Sequence, residues 1–163
     1  MSTYSASAVA TVDAPASRVF PRLLDHDPVS FYPRWWALPG VVEVRDQSGV
    51  WNARGRTRRL VLSDGGTVLE TIRRVEAAEL FVYELSDFTG FFGLLVASGR
   101  AEWRVSARDA GSTIDWTYAF TARPGRGFLV AAIVRLFWAG YMRRVLPPIA
   151  AWTAGDSQTI PTR

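Results

Sequence analysis

The sequence predicts an α+β fold in which an antiparallel sheet wraps one long C-terminal helix. Three observations predict it. Within Gly127 to Trp152, Val130, Val134, Phe137, Tyr141 and Val145 recur at three- and four-residue steps, and Ile149 and Trp152 extend the stripe. That is the 3.6-residue period of a helix with a wide apolar face. Almost everything before Gly127 reads as short strands separated by turn residues. A helix this long must bury its stripe, and a sheet is the only large partner the chain offers. Ala132, Arg135, Ala139 and Arg143 fall opposite the stripe, on the expected solvent face.

Ser5 to Val12 alternates small and apolar residues as a first strand. Asp13-Ala14-Pro15 then starts a short helix, with Asp13 placed to cap it and Pro15 in the first turn. Val19, Leu23 and Leu24 give it an inward edge, and Pro21 shortens or kinks it. Asp25-His26-Asp27-Pro28 ends it, and Pro28 opens a second short helix towards Phe31. Phe31 to Gly40, with Tyr32, Pro33, Trp35, Trp36 and Pro39, is an aromatic connection stiffened by proline.

Four strands follow, at Val41–Arg45, Arg54–Leu62, Gly66–Val75 and Glu79–Ser86. The Ser63-Asp64-Gly65-Gly66 run between the second and third of these is a hairpin signal, because Asp-Gly accepts positive φ. Asp87 to Ser98 reads as a mobile apolar loop, with Phe88, Phe91, Phe92, Leu94 and Leu95 among Gly90 and Gly93. Gly99 to Ala107 sets Ala101, Trp103 and Val105 on one face. Ser112 to Thr121 does the same with Ile114, Trp116, Tyr118 and Phe120. Arg123-Pro124-Gly125 breaks the sheet before the long helix. Pro147-Pro148 is expected to break or kink that helix, and the chain after Ala154 to form a loose tail. The order is strand, two short helices, six strands, long helix. No repeat or linker interrupts it, so residues 1–163 form a single domain with an ordered core at about 5–152.

Composition narrows the chemistry. The chain has 163 residues, enough for one domain with a sizeable core, and 48% are hydrophobic, including seven Trp, nine Phe and five Tyr. It has no Cys and no Lys, and His26 is its only histidine. Thiolate nucleophiles, Schiff-base lysines and histidine-rich metal sites are therefore excluded. We expect neither metal nor cofactor. The net charge of +4 is carried entirely by Arg, scattered singly or in pairs such as Arg58-Arg59, Arg73-Arg74 and Arg143-Arg144. Without a dense basic run, nucleic acid is not an expected partner. Met1 to Ala8 lacks a secretory core, and Phe128 to Met142 is too short, with Arg135 near its middle, to span a bilayer. The expected location is cytoplasmic.

Several stretches resemble the START-like (SRPBCC, Bet v 1-like) superfamily, which includes bacterial polyketide cyclase/dehydrase-type proteins, lipid-transport proteins and coenzyme Q-binding carriers. They are Val12-Asp13-Ala14-Pro15-Ala16-Ser17-Arg18-Val19-Phe20, the Asp64-Gly65-Gly66 hairpin with Glu70 to Val75 after it, Phe88-Thr89-Gly90, and Tyr141-Met142-Arg143-Arg144 in the last helix. The resemblance covers about residues 5 to 152. It implies a helix-grip fold: a curved seven-stranded antiparallel sheet around the C-terminal helix, with a ligand cavity between. Members bind lipids, hormones, polyketides or quinones, and only some are enzymes. No universal catalytic set exists to carry over, and Pro147-Pro148 departs from the uninterrupted last helix of the family.

The expected ligand-binding residues are Tyr83, Trp103, Trp116, Tyr118, Phe137 and Tyr141 on facing walls, with Phe91 and Phe92 in the Phe88 to Leu95 loop, the expected portal. Each alone is more simply a core residue. Glu70, between Val68 and Ile72, is a weak catalytic candidate beside Tyr83. Burial there would suit it to acid or base work, although an ion pair across the hairpin with Arg59 is the simpler role. Asp25-His26-Asp27 offers a histidine beside carboxylates, but capping or surface exposure explains it better. These residues point to a protein that binds a hydrophobic small molecule: a lipid, polyketide or isoprenoid-like compound. The alternatives are a polyketide cyclase/dehydratase-type enzyme and a membrane-associated lipid or quinone carrier with peripheral membrane contact. Monomer and homodimer both stay open.

Overall fold

The computed structural model describes residues 1–155. Seven strands, β1 (Thr3–Val12), β2 (Val41–Arg45), β3 (Thr57–Leu62), β4 (Thr67–Glu76), β5 (Leu80–Ser86), β6 (Val96–Arg108) and β7 (Gly111–Ala122), form one antiparallel sheet in the order β1-β7-β6-β5-β4-β3-β2. β2 to β7 run as successive neighbours, and β1 joins at the β7 edge. Helices α1 (Ala16–Asp25) and α2 (Pro28–Phe31) therefore carry the chain from one edge of the sheet to the other. Register shifts at Val41/Glu43, Ile72/Arg74 and Val96/Ser98 add bends to the curved sheet. The alternation predicted for β6 and β7 holds: Ala101, Trp103, Val105, Ile114, Trp116, Tyr118 and Phe120 are all buried.

The C-terminal helix crosses the concave face as α4 (Gly127–Ile133), a π turn (Val134–Trp138) and α5 (Ala139–Thr153). Val130, Val134, Tyr141, Val145 and Ile149 of the expected stripe are buried, joined by Met142 and Leu146. The helix does not break at Pro147-Pro148. The carbonyls those prolines leave without partners belong to Arg143 and Arg144, which are exposed and can use water. Val145, Leu146, Ile149 and Ala150 anchor the same two turns from the other side.

Two other local expectations change. Pro15 occupies the N-cap of α1 and no side chain caps that helix, so Asp13 lies too far upstream. Asp27 does cap α2, accepting from the Val29 and Ser30 amides at 3.1 and 3.2 Å. Asp87 to Ser98 is not a continuous loop. It contains helix α3 (Gly90–Leu95), entered through Gly90 at φ 68°, and β6 already begins at Val96. The tail expected after Ala154 lies, beyond Gly155, outside the described residues.

Gly111, at the start of β7, passes so close to β1 that an added Cβ would sit 2.1 Å from the Val12 carbonyl oxygen. Backbone on both sides leaves no soft atom to yield. Gly111→Ala should cost about 2 kcal/mol or more, read as a lower urea midpoint with an unchanged slope.

Candidate ligand cavity

A cavity of about 90 Å³ lies between sheet and helix. One water needs roughly 10–15 Å³, so side chains leave this space, which opens at a rim, unfilled. Strands supply Leu60, Leu62, Val68, Glu70, Tyr83, Leu85, Tyr118 and Phe120. The C-terminal helix supplies Trp138 and Tyr141. Phe88 and Phe92 close one side, and Tyr32, Pro39 and Val41 another. Pro39, Val41, Leu62, Phe88 and Phe92 are only half-buried, which marks the rim.

Glu70 is 3% exposed and faces the cavity. Its partner is Arg58, 5% exposed, whose Nε donates to Oε2 at 2.6 Å. The expected partner Arg59 is corrected by the register: β3 and β4 set Arg58 opposite Glu70 and Arg59 opposite Leu69. Directly opposed residues share a face, whereas a one-residue offset points outward. The Arg58 guanidinium also stacks over Trp51 at 4.1 Å. A buried charge pair with this geometry is costly to break from either side.

The phenols around this pair are neutral hydrogen-bonding groups. Burial pushes Tyr32, Tyr83 and Tyr118 above the ordinary tyrosine value, and the Glu70 charge adds to the shift. Burial also raises Tyr141, whose hydroxyl donates to the Pro33 carbonyl at 2.7 Å. Behind Tyr32 stands His26, buried at the end of α1. Its Nδ1 bonds the Leu23 carbonyl, which can only accept, so Nδ1 carries the proton. Nε2 then accepts from the Tyr32 hydroxyl at 2.9 Å. Burial, reinforced by the Arg58 charge, lowers the His26 pKa to about 4. His26 is thus the C-cap residue of α1, as the capping expectation for this stretch allows, but it is buried rather than a surface group, because α2 folds Phe31 and Tyr32 back against it.

Tyr83, Phe92, Tyr118, Tyr141 and Glu70 meet around the cavity. The other four expected ligand-binding residues do not line it. Trp103 and Trp116 are wholly buried and stack at 4.5 Å in the core beside His26. Phe91 is 59% exposed on the outer side of α3. Phe137 is displaced by the π turn, which adds one residue to the turn and brings Trp138 to the face that Val130 and Val134 begin. Trp138 packs against Tyr118 and Phe120 at 4.8 and 5.1 Å. Phe88 belongs to the loop expected as the portal, and Tyr32 and Phe120 are lining residues the sequence did not single out, although the two-residue period from Tyr118 points to Phe120. Among the described residues, no cluster of three or more His, Asp and Glu is placed to hold a metal.

Residues 3–151 match the family described as polyketide cyclase / dehydrase and lipid transport. No curated protein matches the chain. Among solved structures, truncated norcoclaurine synthase from Thalictrum flavum superposes with a TM-score of 0.68 at 15% identity, over 97% of this chain and 96% of that one. Ara h 8.0201 gives 0.66 at 17% identity, over 95% and 100%. The Zhui aromatase/cyclase from Streptomyces sp. R1128 gives 0.64 at 18%, over 97% and 100%. At these identities the likeness establishes the fold alone.

Arg58→Met should destabilise the protein by roughly 3–5 kcal/mol by leaving Glu70 buried without a partner, and adding Glu70→Leu should restore most of the loss. Urea unfolding of the single and double variants measures both. His26 supplies a pH dependence of known sign. Its folded pKa lies below the unfolded value of 6.5, so the unfolded chain takes up the proton first. Stability is intact above about pH 6.5 and falls by up to about 3 kcal/mol as pH drops to about 4. His26→Gln should lack this component in urea titrations across that range.

Proposed function

From membership of the polyketide cyclase / dehydrase and lipid transport family, to which this chain belongs over residues 3–151, we propose that the protein holds a hydrophobic small molecule between its sheet and its C-terminal helix. The observation that carries this reading is the hollow interior: about 90 Å³ walled mostly by apolar and aromatic side chains, with one carboxylate and four phenols. Apolar walls favour burial of a hydrocarbon or ring surface, and a few fixed polar groups orient it. Glu70, Tyr83 and Tyr118 are the proposed polar anchors. Phe92, Trp138 and Tyr141 supply ring faces. The ligand is a polyketide, isoprenoid-like compound or lipid, and the cavity size suits a ring system or one end of a chain.

A second reading is favoured by one observation, the presence of the Glu70 carboxylate and the Tyr83 phenol on the same cavity wall. In a cyclase or dehydratase they would move protons while the walls fold the substrate. Turnover of a polyketide-like substrate that survives in both Glu70→Gln and Tyr83→Phe removes these two from that role.

The binding reading is tested with the neutral fluorophore N-phenyl-1-naphthylamine. It should bind the wild type and be displaced by lipophilic compounds that native mass spectrometry then detects on the protein. Val68→Phe places a ring in the cavity and should weaken binding by about tenfold or more, near 1.4 kcal/mol, with the circular dichroism spectrum unchanged. Equal affinity in the two proteins would show that the fluorophore sits elsewhere and would end this reading.

A further inference from the structure

The net charge of the chain is concentrated in one segment. Residues 1–115 carry 13 arginines against 14 carboxylates, whereas residues 116–155 carry five arginines and no Asp or Glu. On the outer face of the sheet, arginines pair with glutamates, as in Arg73–Glu84 and Arg104–Glu102. Among the described residues, Arg123, Arg126, Arg135, Arg143 and Arg144 form no ion pair, and all five are exposed.

The same segment has an apolar outer face. Phe128 is 73% exposed and Leu136 70%, with Ala132 exposed between them. Their four-residue spacing aligns them on the side opposite Val130 and Val134. Trp35 closes over Gly140, one turn beyond Leu136, and holds Trp36 beside it, 74% exposed. A helix that is apolar on both faces belongs against a second apolar surface.

We propose that this outer face of the C-terminal helix docks on an anionic lipid bilayer. Phe128 and Leu136 enter the acyl boundary, Trp36 takes the interfacial position that suits an indole, and the guanidinium groups meet the anionic headgroups. A second copy of the chain is the poorer occupant, since two such segments would bring exposed arginines from each side together with no carboxylate from residues 116–155 to offset them. The segment carrying Trp36 continues into Pro39 and Val41 at the cavity rim, so docking sets the cavity mouth beside the bilayer. No described helix is long and apolar enough to cross a membrane, and the proposal requires only surface attachment.

Flotation with phosphatidylcholine vesicles, with and without phosphatidylglycerol, tests this. At low salt the wild type should rise with the anionic vesicles and stay down with the neutral ones. The double variants Phe128→Asp/Leu136→Asp and Arg126→Gln/Arg135→Gln alter only exposed side chains, and each should bind at least about tenfold more weakly. Absence of flotation, or flotation untouched by the Asp substitutions, overturns the proposal. So does a wild-type dimer abolished by Phe128→Asp/Leu136→Asp without vesicle binding, which would assign the face to a second copy.

Discussion

The contact between the concave sheet and the C-terminal helix governs the rest of the molecule. The sheet on its own would expose Trp103, Trp116, Tyr118 and Phe120 along one face, and the helix would expose Val130, Val134, Tyr141, Val145 and Ile149. Each surface buries the other. Their fit is incomplete, and space is left between them at one end. Near α1 the gap is filled by the stacked indoles of Trp103 and Trp116, and towards α3 it stays open as the cavity. The π turn lies at that open end. By moving Trp138 inward it lays an indole across the wall where an α-helix would have presented Phe137.

The polar chemistry of the cavity follows from where strand register places charge. Arg58 and Glu70 oppose one another across β3 and β4, so both turn inward at the same level. Neither would be tolerated there alone. Their pairing, with Trp51 beneath the guanidinium, permits a carboxylate to sit on an otherwise apolar wall. The neighbouring phenols stay protonated because burial and that carboxylate both oppose ionisation. The His26–Tyr32 hydrogen bond extends the polar line behind the wall and ties the end of α1 to the cavity lining.

Much of the fold was legible because its signals are local. Alternation in β6 and β7, the Asp64-Gly65 hairpin and the stripe from Val130 to Ile149 each report a period that the backbone imposes. Membership of the polyketide cyclase / dehydrase and lipid transport family agrees with that reading of the chain. The cavity was legible in part. Tyr83, Tyr118 and Tyr141 sit on regular elements whose inward phase could be counted. Tyr32 and Phe88 lie on irregular connections with no period to count. Trp103 has the inward phase too, yet phase cannot say whether an inward residue meets packed core or empty space.

By itself, the sequence determined the seven strands, the long helix, their order and the inward side of β6 and β7, because those depend on spacing along one chain; it did not show helix α3 or the π turn. The tertiary structure alone decided that Arg58 rather than Arg59 meets Glu70, that Trp138 rather than Phe137 reaches the cavity, that the helix runs through Pro147 and Pro148, and that His26 lies buried behind Tyr32. All four depend on how one element packs against another. There, the burial of an opposing surface outweighs a lost helical hydrogen bond, and a single residue of register changes which side chain faces inward.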